Sequence, residues 1–178
     1  HQSGRRQRQM CIRDRIRMMA KQNVTAVHCP SSNMKLACGG TLSFPPYRDA
    51  GVDVRIGTDG AASSGNGLNL LHEARLASLV QRHDHWDSTL LPAQEIFKMA
   101  TKGSQDWVAW DLDDIRMRPL GRSNNRHLAN LIYNGGECLD VWVNGRALRK
   151  DGITISLDEK KIIAELDYAV ESYYEGVE

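Results

Sequence analysis

The sequence predicts an α/β protein that is one part of a larger barrel, and two observations lead to this prediction. The first is the order of its segments: a strand that ends at His28, a turn, a short helix between Pro45 and Gly51, the strand 52–56, and a helix over 68–82. Strand, helix, strand, helix is the order of parallel β/α units. The second is that leucines and alanines occupy most of the circumference of the 68–82 helix. Such a helix is expected to be buried on most sides, as in a piece of a larger barrel.

The remaining segments predict one more helix, a small β region and a terminal helix. Pro92 and Gly103 bound a helical segment, "LPAQEIFKMATKG". The stretches "DWVAWDL", "LANLIYNG" and "CLDVWVNGRALRKDGITIS" alternate as strands do, with Asn144-Gly145 as a hairpin signal. Ser156 and Glu159 form a capping box before a helix whose apolar spacing predicts that it docks on the rest of the protein.

Charge is concentrated at the start of the chain. The whole chain has 23 basic and 22 acidic residues, and residues 1–22 contain seven of the basic ones against one acid, so 16 basic and 21 acidic residues remain elsewhere. The basic stretch has no aromatic residues to stack on bases, which argues against nucleic-acid binding. It is typical of translated sequencing-adapter sequence, with a disordered tail as the second interpretation and a functional arm as the third.

Composition excludes other classes. No apolar run is long enough to cross a membrane. The four cysteines have no paired spacing, so zinc-finger and disulfide frameworks are both disfavoured, and free thiols in a cytoplasmic protein are expected.

His28 and Asp59 are the candidate functional residues because each follows a predicted parallel strand. The carboxyl ends of barrel strands build active sites. From the residues alone, His28 is equally well explained as a loop-holding histidine, and the "TDG" of Asp59 favours an Asx turn or helix cap over a metal ligand.

Two motifs change that balance. "VHCPSSNMKLACGG" and "VRIGTDGAASSGNGLNLLHEARLASLVQR", in this order and at this spacing, closely resemble the last two β/α units of the metal-dependent amidohydrolases. The branch contains S-adenosylhomocysteine, methylthioadenosine and 5′-deoxyadenosine deaminases and chlorohydrolase-like enzymes. The resemblance covers about residues 20–178. It implies the C-terminal portion of a TIM barrel with a partial flanking β-sandwich, in which Zn²⁺, or another divalent ion such as Fe²⁺, activates water for hydrolytic deamination.

The resemblance also implies roles for individual residues. Asp59 matches the metal aspartate, which can hold the ion and a proton of its water. His28, Ser31, Ser32 and Asn33 match the preceding signature and are expected to shape the substrate pocket. In the family's motif order, the other metal ligands and the acid/base glutamate would lie upstream of residue 20. The chain alone is therefore expected to be inactive and not to bind zinc tightly.

One alternative metal pair is His83 and His85, an HxH that the family carries on a strand. Here it follows a helix, so surface-loop histidines are the expected interpretation. A second departure lies near Ser104, where about twenty residues of the family's sandwich pattern are missing.

The resulting prediction is a truncated amidohydrolase with four segments. They are a head over 1–19, barrel units over 20–103, a partial sandwich over 104–157 and a terminal helix over 158–178. The expected substrate of the parent is an adenosine-type nucleoside, which "MKLACGG" and "GAASSGNG" favour over a triazine. The parent is expected to be a homo-oligomer. Alternatives are a non-catalytic subunit that complements a second chain, or a parent acting on guanine or a triazine. A truncated barrel leaves strand edges uncovered, so poor solubility is expected.

Overall fold

The computed structural model describes residues 2–38, 40–61, 64–65, 67–103, 105–121 and 124–176. Ser104, where the family pattern is interrupted, and parts of the 34–40 and 60–67 motifs lie outside the described residues. The chain divides into two compact units. The first contains His1–Lys102 and Pro119–Gly135, and the second contains Gly103–Arg118 and Gly136–Glu178.

The first unit is built around two parallel strands. Its elements in chain order are α1 (Gln2–Lys21), β1 (Ala26–His28), α2 (Pro30–Lys35), α3 (Phe44–Asp49), β2 (Val54–Ile56), α4 (Leu70–His85), α5 (Ala93–Thr101) and α6 (Asn124–Asn134). β1 pairs with β2 in parallel, with His28 opposite Ile56. The predicted parallel β/α order is therefore confirmed, and the α3 helix between Pro45 and Gly51 is also present.

The core lies on one face of this small sheet. Val54 and Ile56 are buried, whereas Val27 on β1 is 58% exposed. The buried apolar cluster also draws on the helices, including Ile16, Phe44, Ala74, Ala77, Leu91, Ile96, Met99 and Ile132. Ile16 belongs to α1, so the second half of the basic head is helical and contributes a side chain to this core. The native or artefactual origin of residues 1–19 stays a prediction.

The α4 helix is buried along one stripe, which differs from the expected burial on most sides. Its buried residues are small or polar: Glu73, Ala74, Ala77, Ser78 and Gln81. Leu79, on another side, is exposed. Gln81 can be buried because both ends of its amide are hydrogen-bonded. Its Nε2 donates to Leu42 O (2.5 Å) and its Oε1 accepts from Phe44 N (2.8 Å). The buried side of α4 is therefore the one whose small residues allow close packing and whose Gln81 side chain hydrogen-bonds to backbone groups of another segment.

The prediction of a strand for "LANLIYNG" is wrong, because these residues form the end of α6 and the turn that follows it. Leu131 and Ile132 are buried, and Tyr133 Oη lies 2.7 Å from the buried Ser78 Oγ of α4. A short apolar run fits either a strand or a buried helix, and here packing against α4 and α5 selects the helix. Residues 119–135 thus belong to the first unit and not to the β region.

The second unit is an antiparallel sheet followed by a helix. Its strands are β3 (Trp107–Trp110), β4 (Cys138–Val143), β5 (Arg146–Lys150) and β6 (Ile153–Thr154), paired in that order. Asn144 and Gly145 join β4 to β5 with φ values of 50° and 75°. These left-handed values are those of a type I′ turn, so the predicted hairpin is confirmed.

The terminal helix α7 (Glu159–Glu175) is present but is not docked. None of its residues is buried, and its apolar side chains, such as Leu166 and Tyr173, are exposed. Its N-cap is Asp158, which accepts from Lys161 N, and not the predicted Ser156. Both the docking and the position of the cap were wrongly predicted. Among the described residues, no helix has the length and apolar character needed to span a membrane.

Candidate active site

The candidate site lies where β1 and β2 end side by side. The two strands are parallel and in register, and Gly57 N donates to His28 O (3.0 Å) just beyond them. The segments that leave the two strands therefore start at the same edge of the sheet. They are joined there by a short hydrogen bond from Ser32 Oγ to Asp59 Oδ2 (2.6 Å). Two residues from the two separate sequence motifs thus meet in space.

Asp59 is an exposed, ionised carboxylate held in a defined orientation. Its second oxygen, Oδ1, accepts from Gly60 N (2.6 Å). The Ser32 hydroxyl first, and then the Gly60 N–H, lower the pKa of this carboxyl from its ordinary value because both donate to the charged form. The backbone of Asp59 has φ 57°, a left-handed value that few residues other than glycine adopt. Aspartate is one of the residue types that adopts this region more readily than most.

The backbone beside Asp59 is closely packed. A Cβ on Gly57 would lie 2.6 Å from Val27 Cγ1, and one on Gly65 would lie 2.3 Å from Thr58 O. A Cβ on Gly60 would meet nothing within 4 Å. Close approach of neighbouring atoms therefore favours glycine at positions 57 and 65, and the sequence analysis did not identify either position.

His28 is a buried, neutral imidazole. It is 1% exposed, and neither ring nitrogen has a hydrogen-bond partner among the described residues. Burial lowers the pKa of His28 to about 4, outweighing the opposite effect of the Glu73 carboxylate. No described residue forms the hydrogen bonds by which a loop-holding histidine would act.

The three polar residues of the first motif begin a helix and not the predicted turn. Ser31, Ser32 and Asn33 lie in α2, whose first residue is Pro30. Ser31 N donates to Glu73 Oε2 (3.0 Å), and Ser32 binds Asp59. Pro30 explains the helix, because proline is favoured at a first helical position.

Glu73 is a residue near the site that the sequence analysis missed. It is 4% exposed, on the buried stripe of α4. The available signal was an acidic residue close to the start of a helix that was expected to be buried, since a buried carboxylate requires a partner.

Asp59 fits a metal ion as a single ligand. Its ionised oxygens accept from Ser32, Gly60 and Ser64, and the four lone-pair positions of a carboxylate leave room for one more partner. In the described part of the chain, however, no three His, Cys, Asp or Glu side chains are placed to hold a metal together. His83 and His85 lie in the last turn of α4 and not in the expected loop, and residues two apart on a helix point to different sides. They do not form a chelating pair.

The fold agrees with comparisons to known proteins. The amidohydrolase family model matches residues 7–116, and the chain belongs to this family. A 5-methylthioadenosine/S-adenosylhomocysteine deaminase of Pyrococcus furiosus is 38% identical over 84% of this chain and 39% of its own length. A 5′-deoxyadenosine deaminase of Methanothrix thermoacetophila is 34% identical over 84% of this chain and 38% of its own length.

Solved structures of zinc-containing hydrolases match the fold of this chain. An adenosine deaminase from Xanthomonas campestris with bound zinc matches with a TM-score of 0.78 and 29% identity, over 89% of this chain and 39% of that one. An atrazine chlorohydrolase from Arthrobacter aurescens, complexed with zinc, matches with a TM-score of 0.72 and 26% identity, over 86% of this chain and 37% of that one. The chain therefore has an amidohydrolase fold, and it spans about two fifths of the length of these relatives.

Proposed function

We propose that the chain is the C-terminal portion of a TIM-barrel amidohydrolase whose complete form hydrolytically deaminates an adenosine-type nucleoside. The observation that supports this best is the Ser32–Asp59 contact at the adjoining ends of two parallel strands. Barrel enzymes place their catalytic groups at this end of their strands. The chain on its own lacks a set of metal ligands among its described residues, so we propose that it is inactive alone.

In this proposal Asp59 supplies one ligand to a divalent ion, Zn²⁺ or Fe²⁺. The chemistry that such an ion supplies is Lewis-acid activation of water at neutral pH. The Ser32 hydroxyl and the Gly60 N–H keep the Asp59 carboxylate ionised and fix its direction. Because the carboxylate is exposed at the strand end, it remains accessible to a ligand and to a proton from a reacting water.

The remaining residues of the first motif shape the site. Ser31, Ser32 and Asn33 lie in the first turn of α2, next to the end of β1. His28 supplies a neutral, buried surface beneath them, because burial keeps its pKa at about 4. We propose that these four residues contribute to the wall of the nucleoside pocket.

The substrate class rests on the relatives. Matching curated relatives include deaminases of 5-methylthioadenosine, S-adenosylhomocysteine and 5′-deoxyadenosine. The structural match to an atrazine chlorohydrolase supports a triazine as the alternative substrate class, at lower identity. Hydrolysis of an amino group from a purine is therefore the reaction to test first.

The decisive experiment uses a longer protein in which an upstream amidohydrolase segment is joined to this chain. Ammonia release is measured with S-adenosylhomocysteine, 5-methylthioadenosine and 5′-deoxyadenosine, and chloride release is measured with atrazine. The Asp59→Asn variant should lose both activity and most bound metal, because the amide is a poor substitute for a charged ligand. Asp53→Asn is the matched control, since Asp53 precedes the same strand but binds Lys102 and Arg55. Full activity and metal content in Asp59→Asn would contradict the assignment.

A second candidate function is a subunit that completes another chain. The described β1–β2 sheet has two strands only, so both have a free edge, and Val27 is exposed on one face. Exposed edges and apolar faces favour pairing with another chain. Co-expression with a separate upstream segment distinguishes the two: a stable, active complex supports the subunit, whereas activity only in the fused protein supports the fragment.

A further inference from the structure

Glu73 is a buried acidic residue, unlike most glutamates, which lie at the surface. Its side chain is 4% exposed in the first turn of α4, and its Oε2 accepts a hydrogen bond from the backbone N–H of Ser31 at 3.0 Å. Burying a carboxylate is costly unless it is hydrogen-bonded, so this contact is a strong constraint on both partners.

The Glu73–Ser31 hydrogen bond supplies an acceptor for a backbone N–H at the start of α2, where the helix itself provides none. The residue before α2, Cys29, makes no side-chain capping bond, and Pro30 has no N–H. Ser31 therefore carries the first free N–H of this helix, one of the groups that a helix start leaves without an internal partner. Glu73 satisfies it from a different helix, 42 residues away in sequence.

The next residue of α2 reaches the candidate ligand. Ser32, also buried, donates from Oγ to Asp59 Oδ2 at 2.6 Å. Ser31 and Ser32 are adjacent in one helical turn, so any displacement of the Ser31 backbone also displaces the Ser32 hydroxyl. A continuous chain of contacts thus runs from α4 through α2 to Asp59.

We propose that Glu73 is a positioning residue, which holds the start of α2 so that the Ser32 hydroxyl orients the Asp59 carboxylate. The inference rests on the proposed function for the role of Asp59, and it adds a residue that does not itself reach the reacting atoms. The length of the Glu73 side chain matters as well as its acceptor oxygen, because the bond must extend from α4 to Ser31.

The test is an NMR experiment on the isotope-labelled 178-residue chain, kept dilute enough to remain monomeric. Two signals are followed: hydrogen exchange of the Ser31 amide, and the carboxyl carbon shift of Asp59. In Glu73→Ala we expect Ser31 to exchange at least about tenfold faster, the effect of losing a hydrogen bond to a charged group. The Asp59 carboxyl signal should move as it does in Ser32→Ala.

Three further variants make the result specific. Glu73→Gln keeps an acceptor oxygen at the same reach, so it should restore both signals most of the way. Glu73→Asp keeps the charge but is one methylene shorter, so it should resemble Glu73→Ala, and it decides the question if the alanine variant does not fold. Glu95→Ala, which removes an acid from the first turn of α5, is the control and should change neither signal.

The inference is overturned if Ser31 exchange accelerates in the Glu73→Ala or Glu73→Asp variant while the Asp59 signal stays in place. Glu73 would then only cap α2. It is also overturned if Glu73→Asp leaves both signals unchanged. These readouts need no metal and no activity. Failure of the proposed function, seen as unchanged metal content in the Asp59→Asn variant of the longer protein, is therefore distinguishable from failure of this inference.

Discussion

Acid should destabilise the first unit through His28. The imidazole is 1% exposed and both its nitrogens lack partners among the described residues, so its protonated form is strongly disfavoured in the folded state. Its folded pKa is about 4, against 6.5 in an unfolded chain. Between these values the unfolded state binds more protons than the folded state. The free energy of unfolding therefore falls as the pH falls through this window.

The magnitude follows from the same two values. The difference between 6.5 and about 4, at about 1.4 kcal/mol per pKa unit, corresponds to about 3 kcal/mol. This contribution is complete above pH 6.5, declines below it, and is lost at about pH 4. It is a large part of the stability of a domain of this size, which is typically about 5–15 kcal/mol.

The assay is urea unfolding followed by far-UV circular dichroism at several pH values between neutral and about 4. His28→Leu removes the titrating group at similar volume, so the loss of unfolding free energy between neutral pH and pH 4 should shrink by about 3 kcal/mol relative to wild type. His83→Gln is the control, because it replaces a histidine whose side chain is exposed instead of buried. An identical pH profile in wild type and His28→Leu would refute the reasoning, as would an NMR titration of His28 near its ordinary pKa.

Three other predictions concern stability and association. Gly57→Ala places a Cβ 2.6 Å from Val27 Cγ1 and should lower the unfolding free energy by about 1–3 kcal/mol. A Cβ in Gly60→Ala meets nothing within 4 Å, so this variant should not lower the unfolding free energy through a steric clash. Equal urea midpoints for the two variants would contradict this prediction. Gln81→Leu leaves the buried Phe44 N–H and the partly buried Leu42 C=O without their hydrogen bonds, so the free energy of unfolding should fall by about 2–5 kcal/mol, measured in the same way. Deleting α7 should reduce self-association in sedimentation experiments, because its apolar side chains are exposed and none of its residues is buried; unchanged self-association would contradict this.

Local signals in the sequence predicted much of the fold. The β1–β2 units, the α3 helix and the Asn144-Gly145 hairpin depend on proline, glycine and alternating apolar residues, whose effects act over a few positions. The segment "LANLIYNG" shows where such signals are insufficient. Its apolar run suits a strand as well as a helix, and only its packing with α4 and α5 decides for α6.

The same distinction holds for the candidate site. The two motifs identified His28, Ser32 and Asp59 as residues to follow, and strand order predicted that they share one edge of a sheet. Glu73 could not be assigned in this way, because its burial and its bond to Ser31 depend on how α4 packs against α2. Contacts between residues far apart in sequence have no local pattern to reveal them.

The sequence by itself determined the family, the parallel order of the β/α units and the position of Asp59 after a strand, because these depend on motifs and on spacing along the chain. Only the tertiary structure decided that His28 is buried with no hydrogen-bond partner among the residues described, that Ser32 donates to Asp59, and that Glu73 accepts from Ser31 N in the first turn of α2. The physical reason is that burial and hydrogen bonding between distant residues are set by packing, which brings together side chains whose separation in sequence carries no signal.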